Sequence, residues 1–389
     1  MINPRVMLGA LVFCLLAGGP ARAQLIYFNT SSSVLAANTL DALDSEGTGR
    51  TPLLTATGLD FNQILRCTAV AVDELNGRLF FVDGSANALW GANLDGSGLA
   101  KVKGSLTTFP TDLALDVLNQ RIYYTTSSTI QGNNTVQVMD YTGSNNATVF
   151  TAAGGTGVYR CTALAVDVAH AKIFLADAGT NKIWSLTLTG GGLTPLASTT
   201  NAVPTDLTVD TANQRVYFTA SSPVQGFNRI ERVNYSGGGL TTLYTAAGSV
   251  QRCTALDVDV PRGLIYLSDA GSNAPVIWQI PLGGGSPLAI LSGLSAPAKK
   301  LRWFSGPTNR PPPGLTGIQL AGSSVKLNAT NGYIGGTYFI LTSTNLAAPL
   351  SQWLPIATNV LGASGNFALN ATNGFNARNP RQFYILRVQ

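Results

Sequence analysis

The sequence predicts an all-β protein: a six-bladed β-propeller closed by pairing strands from its two ends, followed by a small β-sandwich. Three observations predict it. Two kinds of unit alternate at a fixed period, with Cys67, Cys161 and Cys253 94 and 92 residues apart and Trp90, Trp184 and Trp278 94 and 94 apart. Short runs of Val, Ile, Tyr and Phe stand between clusters of Gly, Thr, Ser and Asn, the pattern of strands separated by turns. Two half-units, one at each end of the array, complete each other.

In chain order, residues 1–23 read as a secretory signal peptide. Arg5 precedes the apolar stretch Val6 to Ala17, and the small-residue site Ala21-Arg22-Ala23 follows. Loss of Arg5 and Arg22 takes the net charge from +5 to +3. That field is too weak to imply nucleic acid, because no dense Lys/Arg face accompanies it. No later segment approaches the roughly 18 unbroken apolar residues of a membrane span.

Each unit opens with a strand ending in Asp, turns, and enters a second strand: "RLFFVDGS" from Arg78, "RIYYTTSS" from Arg121, "KIFLADAG" from Lys172, "RVYFTASS" from Arg215 and "LIYLSDAG" from Leu264. A sixth copy, "LIYFNTSS" from Leu25, has no first strand before it, whereas "APAKKLRW" at 296–303 is a first strand with nothing after it. Pairing the two closes a propeller over 24–306 and removes its open edges. First strands alternate tiny and branched residues (Ala163, Leu164, Ala165, Val166), as a crowded axis requires. The three tryptophans fill the wider space between blades.

The stretch "AVDELNGRLFFVDGSANALWGANLDGSG" at 71–98 resembles the YWTD repeat of low-density-lipoprotein-receptor class B propellers and, more loosely, the NHL repeat. Positions equivalent to Tyr-Trp-Thr-Asp are Phe80-Phe81-Val82-Asp83, Phe174-Leu175-Ala176-Asp177 and Tyr266-Leu267-Ser268-Asp269. In the other three units the final acid is replaced by Thr30, Thr126 or Ala220, and no unit has the Trp. What the resemblance implies is a structural repeat that confers no ligand by itself.

"PTNRPPPGL" from 307 reads as a stiff polyproline linker over 307–314. Beyond it, 315–389 holds short β-type segments, and "LNATNG" occurs at both 327 and 369. A small β-sandwich follows from these. Tyr338, Ser343-Thr344-Asn345-Leu346, Trp353, Gly365-Asn366-Phe367 and Phe383-Tyr384 resemble C-terminal modules of exported verrucomicrobial proteins. The module contains no Asp or Glu, which excludes a glycosidase carboxylate pair or a calcium cage of carboxylates within it.

The chemistry available is narrow. His170 is the single histidine, in a hairpin turn, so a histidine-dependent triad and a two-histidine zinc site are excluded. The three mature cysteines are expected as buried thiols, a three-thiolate metal site being the alternative. Asp73, Asp167 and Asp259, with Asp83, Asp177 and Asp269, recur in every unit of one type, which points to braced turns.

What remains is the rim. There Arg66, Arg160 and Arg252 are expected at one end of the channel, interleaved with Asp112 and Asp206, with Phe61 and Tyr159 close by. The loops "SSTIQGNN" and "SSPVQGFN", carrying Gln131, Gln225 and Phe227, are expected on the same face. Three arginines around one axis suit an anionic ligand or a partner's acidic side chain. The alternative is that each bonds within its own blade boundary.

The resulting expectation is an exported, noncatalytic recognition or scaffold protein of the cell surface or envelope, with a protein or glycan partner, no cofactor and no metal. The alternative is a metal-dependent hydrolase or lactonase using the channel, with Asp112, Asp206 and Lys299 or its neighbour as the candidate constellation.

Overall fold

A computed structural model describes residues 25–47, 49–56, 64–73, 76–271, 274–304, 314–332, 337–348, 352–360, 365–376, 379 and 382–388. The expected signal peptide, all but the last residue of the expected linker, and Phe61 lie outside these residues. Contacts group the described chain into two compact units, one made by the strands up to residue 304 and one by those from residue 314.

The first unit is a ring of six four-stranded antiparallel sheets. Blade 1 holds β1 (Leu25–Thr30), β2 (Thr39–Asp44) and β3 (Thr51–Thr55). Blade 2 holds β4 (Cys67–Asp73), β5 (Arg78–Asp83), β6 (Ala88–Asn93) and β7 (Ala100–Lys103). Blade 3 holds β8 (Phe109–Asp116), β9 (Arg121–Ser127), β10 (Thr135–Asp140) and β11 (Ala147–Thr151), and blade 4 holds β12 (Cys161–Asp167), β13 (Lys172–Asp177), β14 (Lys182–Thr187) and β15 (Thr194–Ser198). Blade 5 holds β16 (Val203–Asp210), β17 (Arg215–Ser221), β18 (Arg229–Asn234) and β19 (Thr241–Thr245), and blade 6 holds β20 (Cys253–Asp259), β21 (Leu264–Asp269), β22 (Val276–Pro281) and β23 (Leu288–Leu291). Three short 3-10 turns interrupt the strands of this unit, Leu35–Ala37, Gln131–Asn133 and Gln225–Phe227.

The missing inner strand of blade 1 is β24 (Ala298–Phe304), which pairs with β1 in the order β24-β1-β2-β3. Leu301 stands opposite Phe28 and Lys300 opposite Asn29, so the two half-units meet as the sequence predicts. The closing strand is also bonded to blade 6. Asp257 of β20 accepts the Trp303 amide at 2.7 Å, and Ser268 donates to the Ala298 carbonyl at 2.9 Å.

The hairpins between first and second strands have a side-chain cause. The Asp that ends each first strand accepts the amide three residues on: Asp73 from Asn76, Asp116 from Asn119, Asp167 from His170, Asp210 from Asn213 and Asp259 from Arg262, at 2.9 to 3.1 Å. The core is six wedges, one at each blade boundary. Second strands are covered on both faces, so Leu79, Phe80, Phe81 and Val82 are all fully buried in one unbroken run. Trp90, Trp184 and Trp278 each lie in a wedge with the cysteine of their own blade, as Trp184 does with Cys161, Val158 and Tyr123.

The second unit holds β25 (Gly314–Ala321), β26 (Ser324–Gly332), β27 (Thr337–Ser343), β28 (Leu354–Val360), β29 (Gly365–Ala371) and β30 (Phe383–Val388). They form two three-stranded sheets, β25-β26-β29 and β28-β27-β30. Val325, Leu327, Leu369 and Ala371 of one sheet meet Tyr338 and Ile340 of the other, which makes a sandwich. The repeated "LNATNG" has a direct role, since its two copies run antiparallel with Leu327 opposite Leu369.

Candidate functional site

Around the ring the inner strands follow the order β24, β4, β8, β12, β16, β20, and four cations stand where they begin. Three are the repeated arginines. Their backbone is fixed by the acid that ends the second strand of the same blade: Asp83 accepts the amides of Leu65 and Arg66, Asp177 those of Tyr159 and Arg160, and Asp269 those of Gln251 and Arg252. These carboxylates therefore brace the loops, as the repetition of the motif implied. Asp177 also accepts Gly179 and Thr180, and a Cβ at Gly179 would stand 2.4 Å from that of Tyr159, which is why this turn needs glycine.

Two of the guanidiniums, those of Arg66 and Arg252, reach across blade boundaries to neutral partners. Arg66 Nε donates to Ser31 Oγ at 3.0 Å, and Arg252 Nε donates to Ser221 Oγ at 3.3 Å. Both serines lie at or just past the outgoing end of a second strand, which puts the arginines and the 3-10 turns that follow those strands on one face. None of Arg66, Arg160 and Arg252 has a carboxylate within ion-pair distance among the described residues. The fourth cation is Lys299, on β24 between β20 and β4. Desolvation, Arg252 and Arg66 together hold its ammonium below the ordinary lysine value, so like charges crowd this mouth.

Asp112 and Asp206 lie deeper than the rim, both buried, and Lys300 joins them. Its Nζ bonds Asp112 Oδ2 at 2.6 Å and also Asp206 Oδ1. Each carboxylate is further tied to the backbone of two inner strands. Asp112 accepts Leu113 and Leu164 at 2.9 Å each, and Asp206 accepts Leu207 at 2.8 Å and Leu256 at 3.0 Å. Burial pushes Asp206 up to about 6, Lys300 and Arg302 opposing that rise and Asp112 adding to it. A buried Asp-Lys-Asp bridge thus links blades 1, 3 and 5. The third place belongs to Lys300, and its ammonium occupies the position from which a divalent cation would neutralise the two acids, so these residues do not fit a channel metal.

The remaining candidates sit on the rim face with the arginines. Gln131 donates its amide to the Val158 carbonyl at 2.8 Å and Gln225 to that of Val250 at 3.0 Å, so both anchor 3-10 turns to the segment preceding an arginine. Phe227 is half-buried and Tyr159 is exposed. Three residues that the sequence reading passed over share this face: Val34, Ile130 and Val224, at equivalent positions before the 3-10 turns, are 64%, 65% and 57% exposed. Their signal was visible in the aligned loops, where a branched apolar residue recurs at a turn tip.

Elsewhere the chemistry is structural. His170 Nδ1 pairs with Asp167 Oδ2 at 2.7 Å in its half-exposed hairpin. Cys67, Cys161 and Cys253 are free, buried and placed in three separate wedges, so they do not converge on one ion. Among the described residues no cluster of His, Cys, Asp and Glu could hold a metal.

No family model matches the sequence. Among solved structures the chain is similar to one in a crystal structure of the nidogen/laminin complex, with a TM-score of 0.57 and 16% identity over 72% of this chain and 97% of that one. It is also similar to TolB from Acinetobacter baumannii, with a TM-score of 0.54 and 10% identity over 73% and 67% of the two chains. Both are propeller folds, in keeping with the YWTD-type repeat. At these identities the likeness establishes the fold alone.

Proposed function

We propose that this chain is an exported, noncatalytic recognition protein whose propeller binds a protein partner at the channel mouth. The observation that carries the reading is the rim of Arg66, Arg160, Arg252 and Lys299: four cations around one axis, with no carboxylate answering the arginines among the described residues. Guanidiniums held by neutral serines keep their remaining N–H donors for an acidic group. Around them, Val34, Ile130, Val224 and Tyr159 offer apolar contacts, the composition of a protein-binding surface. The face fits a partner with a central acidic residue and an apolar surround.

In this reading the leader at 1–23 sends the chain out of the cytoplasm to the periplasm or outer surface. The C-terminal module, similar to those of exported verrucomicrobial proteins, serves as a spacer or anchor. The channel hydrolase is disfavoured because the Lys300 ammonium already sits between its two acids, where a metal would have to bind.

The test is capture by cross-linking from envelope extracts with the wild type and with Arg66→Ser, Arg160→Ser and Arg252→Ser combined. The expected result is a specific protein held by the wild type at low salt, released as salt rises, and lost in an equally stable triple variant. Equal capture by both proteins would refute the assignment to this face.

A further inference from the structure

A second site lies at the boundary of blades 2 and 3. There a cleft of about 350 Å³ opens between the end of β7 with its following loop and the start of β10. The repeat itself explains why it opens here. In blade 5, Arg229 begins β18, pairs with Glu231 at 3.1 Å, and reaches the Thr200 carbonyl of the preceding loop at 3.2 Å, which spans the corresponding gap. In blade 1, Asp41, at the place of Glu231, is paired with Arg50 at 3.0 Å. In blade 3 the equivalents are Thr135 and Gln137, so neither the long side chain nor the ion pair is present and the gap stays open.

Apart from Leu106 and Gly132, the lining carries hydroxyls and amides, one lysine and no carboxylate. Several of these groups are held in place by one another. Thr126 Oγ1 bonds the Asn133 carbonyl at 2.9 Å and Thr135 Oγ1 at 2.8 Å, Gln137 Nε2 donates to Thr135 Oγ1 at 3.1 Å, and Tyr124 OH donates to Asn146 Oδ1 at 3.0 Å. Lys103 is half-buried and has no ion-pair partner among the described residues. A half-buried lysine without an ion-pair partner beside fixed hydroxyls and amides suits an anion that also carries many hydroxyls.

We infer that this cleft binds an acidic saccharide, with Lys103 on the sugar carboxylate and the Thr135–Gln137 network on the ring hydroxyls. The cleft shares the Gln131–Asn133 turn with the rim face but none of its cations, so either reading can fail without the other.

The test titrates the full chain with a galacturonate disaccharide and with the neutral galactose disaccharide of the same linkage. The acidic ligand is expected to saturate and to bind at least tenfold more tightly. Lys103→Ala should erase that preference. Thr135→Arg combined with Gln137→Glu, which installs the pair that blade 5 already tolerates, should abolish binding with the thermal midpoint unchanged. The triple arginine variant of the mouth should bind the disaccharide normally. Absence of saturable binding, an undiminished acidic preference in Lys103→Ala, or binding unchanged in the folded double variant would each overturn the inference.

Discussion

Replacing Lys300 by Met gives the sharpest test of the buried bridge. The substitution keeps the length and apolar stem of the side chain but removes the ammonium that meets Asp112 and Asp206. Breaking a buried pair by deleting one partner costs on the order of 3 to 5 kcal/mol, because the surviving charge is left in a poor dielectric. Here two carboxylates survive. Each retains two backbone N–H donors, which holds the expected loss within that range. The sign of the pH dependence follows from Asp206. Its value in the fold, about 6, lies above that of an unfolded aspartate, so the fold keeps a proton that the unfolded chain has released. The stability that this group confers is therefore greatest in acid and falls as the pH rises from about 4 to about 6. Without Lys300 the native value climbs further and this fall extends toward neutrality. Urea unfolding at pH 7.5 and pH 5 should then show a wide gap between wild type and Lys300→Met at the higher pH and a narrower one at the lower. A gap below about 1 kcal/mol, or one independent of pH, would refute the claim that the ammonium compensates charge on these acids.

Two further outcomes follow from the ring and its wedges. Deletion of 296–304 removes β24 and the Asp257–Trp303 bond, so calorimetry should show loss of the single cooperative transition of the propeller, and an unchanged thermogram would contradict closure. Cys161 and Cys253 are buried thiols pushed up to about 12 chiefly by desolvation, so a thiol reagent at pH 8 should leave both unmodified in the native protein and label them only at the rate of unfolding.

The ring was legible because repetition reports it directly: six second strands and a pair of complementary ends require closure. The rim was legible in part. Arginine before cysteine places the guanidinium at a strand start, and the structure keeps all three on one face. Asp112 and Asp206 went deeper than alternation along the strand suggests, because the pairing register shifts between Pro110 and Asp112 and again between Pro204 and Asp206. Such a bulge resets which side chains face the axis, and sequence period alone does not reveal it. The same irregularity, between Asn29 and Thr30, decides that Lys300 and not Lys299 joins the acids. The cleft at Thr135 left no local signature. It becomes visible only when the side chain that bridges the matching gap in blade 5 is known to be Arg229.

The seam between β1 and β24 also imposes an order of events on biosynthesis. About 270 residues separate the end of β1 from the start of its partner, so at 5 to 20 residues per second the first blade waits roughly 15 to 50 s with an unpaired edge. During that interval nascent chains expose a template for pairing with one another, and Asp112 and Asp206 must be accommodated before their counterion has been made. Whatever covers the free edge of β1 until residue 304 is available suppresses that pairing between chains.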